Sequence, residues 1–573
     1  MGKDGVSTAY PNDGEPSSEF PLYSRGNTGE AFPNVISPMS GSLMLEASTR
    51  SQTRWFLDTG ALSKRQVKDP TNAVFVQFFG YLYANASMAR IAAVRAPGMT
   101  VDDLDAQYGG VGVLPPYRPR RRDRSLAATL RLGRFASRAF RSGDANRARV
   151  AQREVADWVL SLSSVEAVDD DALIERVRRA SWWFERMLYE MMTVTLHAGA
   201  SRIMIERLAA TAGEPEAANA ITSGLGGVAS ASPAFALWAL GRRVRSSPPL
   251  AAHFGRGGED LDERLRRDPA CAEFVEAFDA FLRTFGFHGA DELELSSPKW
   301  GTDPELALRI VERLRYVPDD RDPVIAAKDL SKNRALVTAR VRAKLRGPKR
   351  ILFDRAVRAT TIYAPEREAT KAALVRALFE SRCALNELAR RHSIARDDIY
   401  LLVHEELEAA VDDPGAFVTR IGERRAQRDR LEQRVPPFWF ENRIPDPSTW
   451  PLRTEIAPAA NASGRARAHM QGIGVSAGVV TGRARVILDP NEPSELQADE
   501  ILIAPQTDPA WTPLFLGAAG VIVEYGAVMS HAAIVARELG IPAVVGIERA
   551  TIDIPAGATI TVDGNSGRVT LES

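Results

Sequence analysis

The stretch GAVMSHAAIVARELGIPAVVG, residues 526–546, sets the reading of this chain. It leaves an apolar run, GVIVEY, through a small-residue turn and enters an Ala-rich helical segment at His531. Ser530 is the natural N-cap of that helix. A helix N-terminus presents unpaired N–H groups and the positive end of the dipole, which together favour an anion, phosphate in particular. The same field favours neutral imidazole over imidazolium, and neutral imidazole is a nucleophile. Gly526, Ala527, Ala532 and Ala533 keep bulk away from the ring, and Arg537 follows two turns later. Taken alone, the pattern fits either a packed helix-start histidine or a nucleophile beside an anion site.

Working outward, about 100 residues around this stretch alternate short β-branched runs (RARVIL, EILIAP, GVIVEY, IPAVVG, TITVDG) with two helical stretches, WTPLFLGAA and SHAAIVARELG. Such alternation predicts a compact α/β module over 471–573, with strands covered by helices. Before it, residues 434–471 are Pro-rich first and Ala/Ser/Asn-rich later, which predicts a linker whose loose part, 456–470, reaches about 50 Å when extended. Upstream, amphipathic periodicity dominates, and 21–455 is expected to form a mostly helical domain. Residues 1–20 are polar and Gly/Pro/Ser-rich, an expected flexible N-terminus without the apolar core of a signal peptide.

Composition restricts the function classes. Lys+Arg and Asp+Glu are equal at 73 each, giving no global charge that would recruit nucleic acid or an anionic membrane. The one basic run, RPRRRDR (118–124), reads as a solvated loop. No apolar run is long enough to span a bilayer. Cys271 and Cys383 are far apart and without a partner motif, so neither a disulfide framework nor a structural zinc site is expected, and a reducing cytoplasm is the natural setting. His197, His253, His392, His404 and His469 show no metal-ligand spacing, and no metal site is assigned.

The 526–546 stretch resembles the signature of the swivelling phosphohistidine domain of phosphoenolpyruvate-utilising enzymes. The likeness extends through GVSAGVVTGRARVI (474–487), TDPAWTPLFLGAAGVIVEYG (507–526) and TITVDGNSGRVTL (559–571). TDPAWTPLF is similar to the rifampicin phosphotransferase branch rather than to pyruvate phosphate dikinase. Ala527 stands where the family usually has a second glycine. Weaker likenesses to the acceptor-binding domain of that branch lie in YSRGNTGEAFPNVISPMSGSL (23–43), GFHGADELELSSPKW (286–300), REATK (367–371) and DDIYLLVHEEL (397–407). In the second of these, Phe287 and His288 replace the family's His and Arg, and Asp291 replaces a Gly.

The resemblance implies a multidomain protein in which a mainly α-helical acceptor-binding domain precedes a small α/β swivelling phosphohistidine domain. It implies that His531 carries a phosphoryl group, with Ser530 and Arg537 beside it. The expected acceptor-side residues are His288, Asp291 and Glu292, with Arg25 either a substrate contact or a brace paired with Glu30. Trp182, Trp183, Met187, Met191 and Met192 form a stripe that reads first as core and second as a wall for an aromatic acceptor.

No Gly-rich phosphate loop or large strand-rich nucleotide module precedes the linker, and residues 532–573 are too few for a pyruvate-binding barrel. The expectation is therefore a divided system like phenylphosphate synthase. A separate ATP-grasp subunit, using ATP and Mg, would load His531, and a small apolar or aromatic hydroxyl compound would unload it. This chain itself is expected to bind no cofactor. Two alternatives remain open from sequence: a phosphorylation-coupled dehydratase, and a non-catalytic binding or regulatory relic of the fold.

Overall fold

In the computed structural model, residues 10–26, 28–105, 114–141, 145–258, 260–456, 469–490, 496–497, 499–528 and 530–572 are described. The chain forms two compact units, one of 1–196, 293–296 and 370–457, the other of 197–292, 297–369 and 458–573. The helical stretch expected as one domain is thus divided between units, and the 286–300 segment contributes to both.

The first unit contains a four-stranded antiparallel sheet of β1 (Leu22–Ser24), β2 (Phe75–Phe78), β3 (Tyr81–Asn85) and β4 (Trp439–Glu441), in the order β2-β3-β1-β4. Aromatic side chains knit it together: Tyr23 stacks on Phe440, with ring centroids 5.2 Å apart, and Phe78 meets both edge-on. Offset and edge-to-face geometries are the ones the ring quadrupoles favour. Residues 10–20 do not behave as the flexible terminus that composition suggested. Tyr10, Ser17 and Phe20 are buried, and the Asp13 carboxylate accepts the N–H groups of Tyr10 and Gly80. Buried rings and a hydrogen-bonded carboxylate outweigh a polar average.

A helix over Pro38–Thr59 starts on Ser37, whose hydroxyl accepts the Ser40 N–H, and stops at Gly60 in the left-handed region at φ 72°. Among the described residues, no helix is long and apolar enough to cross a membrane. Within the stripe singled out from sequence, Trp183 and Met187 are buried, Met191 and Met192 are half-buried and Trp182 is exposed, so two of its five members are core. The arginines of the 118–124 run are exposed.

The second unit holds an eight-stranded sheet. Its strands are β5 (His469–Gln471), β6 (Ile473–Ser476), β7 (Val479–Val486), β8 (Glu500–Ala504), β9 (Gly520–Val523), β10 (Ala543–Val545), β11 (Thr559–Asp563) and β12 (Arg568–Leu571). The order is β5-β12-β11-β7-β8-β9-β10-β6, parallel from β7 to β10 and antiparallel outside. Central parallel strands bury both faces, which is why EILIA, GVIV and AVV are continuous apolar runs. Alternation sorts them: Leu502, Ala504, Val521, Val523, Ala543 and Val545 enter one core cluster, and Ile501, Ile503, Ile522 and Val544 the opposite one.

The first cluster also takes in Trp511 and Phe515 from the helical turn after TDPA, Ala532 and Val535 from the His531 helix, and Phe278, Phe281 and Trp300 from the helical segments. Strand module and helical segments therefore share one core. Of the expected linker 456–470, residues 457–468 lie outside the described residues, whereas His469 and Met470 belong to β5.

Candidate functional site

His531 opens the helix His531–Leu539. The Ser530 hydroxyl caps it by accepting the Ala533 N–H at 3.3 Å, and Gly540 closes it at φ 71°. Gly526 lets the turn pass close to β10: a Cβ there would stand 3.1 Å from Val545 Cβ and 3.2 Å from Ser530 Oγ, tight enough that these neighbours would have to shift. Ala527, where the family usually has a second glycine, is not in the left-handed region, so its methyl is accommodated.

The His531 ring is buried, at 6% exposure, although the small neighbours suggested open surface. The ring lies between two hydroxyls, with Nδ1 3.5 Å from Thr507 Oγ1 and Nε2 3.5 Å from Thr512 Oγ1. Those distances mark contacts at the outer edge of hydrogen bonding. Both hydroxyls come from the TDPAWTPLF segment, which fixes the ring between the start of one helix and the start of the next.

That segment also carries Asp508. Its Oδ1 accepts the Ala510 N–H at 2.8 Å and its Oδ2 accepts the Asp291 N–H at 2.9 Å. Burial pushes the Asp508 carboxyl up to about 7, and the neighbouring charges of Asp291 and Glu292 add to the rise. Asp291 sits at φ 46°, in the left-handed region, at the position where the sequence likeness has glycine.

Next to it the His288 ring is buried beside Phe287 (centroids 4.2 Å apart) and Trp300 (5.9 Å), and its Nδ1 pairs with the Glu292 carboxylate. The Lys299 ammonium is buried too and donates to the carbonyls of Ala290 and Asp291 at 2.9 and 2.8 Å. Through this bracing the 288–292 turn presents its N–H and carboxylates toward Asp508.

Three of the four expected acceptor-side residues, His288, Asp291 and Glu292, thus share a unit with His531, and one of them touches the segment that holds His531. Arg25 belongs to the other unit. There its guanidinium lies 4.6 Å over the Tyr81 ring and donates to the carbonyls of Phe32 and Pro33, the geometry of a brace. Arg537 is buried, with Nη2 donating to Val528 O at 2.9 Å and so tying the helix to the turn that leads into it.

Asp508, Thr507, Thr512 and Lys299 were not singled out from sequence, although TDPAWTPLF and SSPKW supplied part of the family likeness. Lone Thr and Asp residues carry no spacing signal, and only the fold brings 291 beside 508. The fold also brings His253, Asp268 and Cys271 together with ligand atoms within 4.8 Å, a trio that sequence spacing does not reveal. Here His253 Nε2 is hydrogen-bonded to Asp268 Oδ2 at 2.8 Å.

Residues 496–567 match the PEP-utilising enzyme mobile domain, and residues 189–368 match the rifampicin phosphotransferase fourth domain. The C-terminal module is thus similar to a PEP-utilising mobile domain, and the helical segment before it to the fourth domain of rifampicin phosphotransferase. The mobile domain contains His531, Asp508 and both threonines, and the fourth-domain match contains His288, Asp291, Glu292 and Lys299.

Among curated relatives, an uncharacterised protein of Mycobacterium tuberculosis is 28% identical over 99% of this chain and 63% of its own length. A rifampicin phosphotransferase of a Streptomyces species is 34% identical over 58% of this chain and 38% of its own. A prodigiosin synthesizing transferase of Serratia marcescens is 30% identical over 57% of this chain and 37% of its own. The chain therefore spans between about two fifths and two thirds of the length of these relatives. The Streptomyces and Serratia relatives are both named as transferases.

Proposed function

We propose that this chain is the carrier and acceptor component of an ATP-dependent phosphotransferase, with His531 as the phosphoryl handle. The single observation that carries the reading is the placement of His531: at a Ser530-capped helix start, between two hydroxyls, in the same compact unit as the carboxylate cluster of the helical domain. In the first half-reaction a ring nitrogen of His531 forms a P–N bond as the P–O bond of the ATP-derived group breaks. An ATP-grasp partner with its Mg supplies that group. In the second, a hydroxyl oxygen of the acceptor attacks phosphorus, the P–N bond breaks, and the hydroxyl proton passes to a carboxylate of the Asp508–Asp291–Glu292 cluster.

Asp508 suits that last role, since a carboxyl titrating near neutrality is both available as a base and able to release the proton afterwards. The helix-start N–H groups beside His531 suit the charge that gathers on the transferring oxygens. The acceptor class favoured by the surrounding Phe287 and Trp300 is a small aromatic or apolar hydroxyl compound, with phenol as the simplest probe.

The test is labelling with radioactive ATP in the presence of the ATP-grasp partner, comparing wild type with His531→Ala. Acid-labile, base-stable label on wild type alone, discharged on adding an acceptor hydroxyl compound, is the expected result. Equal label on His531→Ala would remove His531 from the reaction. Release of the label as free phosphate with a dehydrated product would replace ester formation by elimination.

A further inference from the structure

Arg537 presents a physical problem that its place in the signature does not solve. It is only 5% exposed, yet among the described residues it makes one hydrogen bond, to Val528 O, and no ion pair. Its Nη1 is buried without a hydrogen-bond partner. Arginine does not escape by deprotonating, and an unpaired buried charge costs several kcal/mol. Burial disfavours the charged guanidinium strongly and Arg202 and Arg367 add like-charge repulsion, which Glu538 and Glu206 offset only in part.

The missing partner has a place. Arg537 lines a cavity of about 40 Å³ together with Arg202, Arg367, Thr222, Thr360 and Glu538, all within the second unit. The acidic groups around it are engaged. The Glu538 carboxylate accepts the N–H groups of Leu225 and Gly226 at 3.0 and 3.2 Å. Glu206 pairs with Arg202, and Glu368 with Arg367, each at 2.9 Å. Arg202 is further held by Thr222 and Asn219. Three guanidiniums therefore line one small polar space, and the one of them without an acidic partner leaves a donor open. The volume exceeds what one water needs and matches a small tetrahedral ion.

We propose that the cavity between Arg202, Arg367 and Arg537 is a binding site for a small oxyanion, free inorganic phosphate, which pins the His531 helix to the helical segments of its own unit. Charge-assisted N–H···O bonds from guanidinium to phosphate are short and directional, and an arginine cluster is the usual protein answer to that geometry. Arg202 and Arg367 come from the helical segments and Arg537 from the mobile domain, so occupancy stabilises their association by mass action. The site does not depend on His531 carrying a phosphoryl group.

The test is calorimetric titration of the whole chain with potassium phosphate at fixed ionic strength, paralleled by thermal unfolding. Wild type is expected to bind one phosphate and to gain Tm saturably, where a general salt effect rises without saturation. Arg367→Gln, at a partly exposed position, should weaken binding about tenfold or more, and because Glu368 loses its partner the Tm gain is read against the variant's own phosphate-free Tm. Arg537→Met should abolish it while unfolding without phosphate at a temperature no lower than wild type, because it removes an unpaired buried charge.

Absence of saturable binding, or equal phosphate responses in wild type and both variants, would overturn the proposal. Phenyl phosphate separates the free ion from a phosphorylated compound: the cavity is too small for it. If it bound as well as phosphate and lost affinity equally in Arg367→Gln, the assignment to free phosphate would be wrong.

Discussion

The main-chain N–H of Asp291 donates to the Asp508 carboxylate 2.9 Å away, across 217 residues of sequence. One segment of the rifampicin phosphotransferase-like domain is thereby joined to the segment that cradles His531. The bond accepts a charge penalty, because Asp508 faces the carboxylates of Asp291 and Glu292 while being enclosed.

The first prediction follows from that penalty. The Asp508 carboxyl is pushed up to about 7 in the folded chain, from an ordinary value of 3.8. Between these values the native state holds a proton that the unfolded chain has released, so this group lowers stability progressively as pH rises, with the full loss above about pH 7. Asp508→Asn abolishes the titration. Relative to wild type, the variant should gain about 1–3 kcal/mol between pH 5 and pH 8, read from denaturant melts. Asp13 in the other unit is also raised, to about 6, and contributes the same slope to both proteins, so the difference isolates Asp508. A gap between the two proteins that does not change with pH would dismiss the ionised cluster.

Asp291 supplies the second. A non-glycine residue at φ 46° carries left-handed strain, about 1 kcal/mol for an L residue, eased in Asp by its short polar side chain. Asp291→Gly keeps the N–H to Asp508, relieves the strain and removes a neighbouring charge. Stability at pH 8 should rise by about 0.5–1 kcal/mol, and the Asp508 titration should move toward lower pH. Asp291→Val should destabilise by more than the glycine gains, since a β-branched residue tolerates this conformation least. Equal stability of the glycine and valine variants would show that the turn is not held at this conformation.

The mobile domain was legible in sequence because its information is local. Parallel strands announce themselves as unbroken apolar runs, and the Ser530–His531 step as a cap before an Ala-rich helix. The 286–300 segment drew notice only through the family likeness. His288, Asp291 and Glu292 stand out because they sit in one short segment, whereas Asp508 does not, because what it touches lies 217 residues away in sequence. The division of the helical stretch into two units was hidden for a related reason. Helices Asp170–Thr211 and Gly347–Arg391 each carry residues of both units, and amphipathic periodicity marks a buried face without saying which core it enters. Residues 10–20 show the opposite failure: average polarity concealed the three anchors Tyr10, Asp13 and Phe20.

In the first unit, Glu294 gives a third prediction. Its buried carboxylate accepts Ser37 N and Oγ at 3.1 and 2.6 Å, Ser40 Oγ at 2.9 Å and Ser296 N at 2.8 Å. Burial works to raise its pKa, but Arg428 and these hydrogen bonds together outweigh it and hold the group below its ordinary value. A depressed pKa means stability that is present above pH 4.5 and lost as pH falls through the folded value. Glu294→Ala takes the carboxylate acceptor from the N–H groups of Ser37 and Ser296 and from the Ser40 hydroxyl and should cost about 3–5 kcal/mol at pH 7. Glu294→Gln, which keeps an acceptor oxygen, should cost less and should flatten the acid limb of the stability profile.

The last prediction separates what holds His531 from what His531 does. Ser530→Ala removes the side-chain acceptor for the Ala533 N–H and should cost about 1 kcal/mol, with the ring still between Thr507 and Thr512. Phosphoryl labelling should then fall only partly, through looser placement of the ring. His531→Asn keeps a polar side chain at the helix start but lacks the nucleophilic ring nitrogens, so it should unfold within about 1 kcal/mol of wild type while losing all acid-labile label. The pair of measurements is decisive in combination. If His531→Asn unfolded several kcal/mol earlier, the ring would be a packing element, and loss of label would reflect a damaged domain. If Ser530→Ala lost all label at near wild-type stability, the Ser530 hydroxyl itself would belong to the transfer chemistry and not only to the cap.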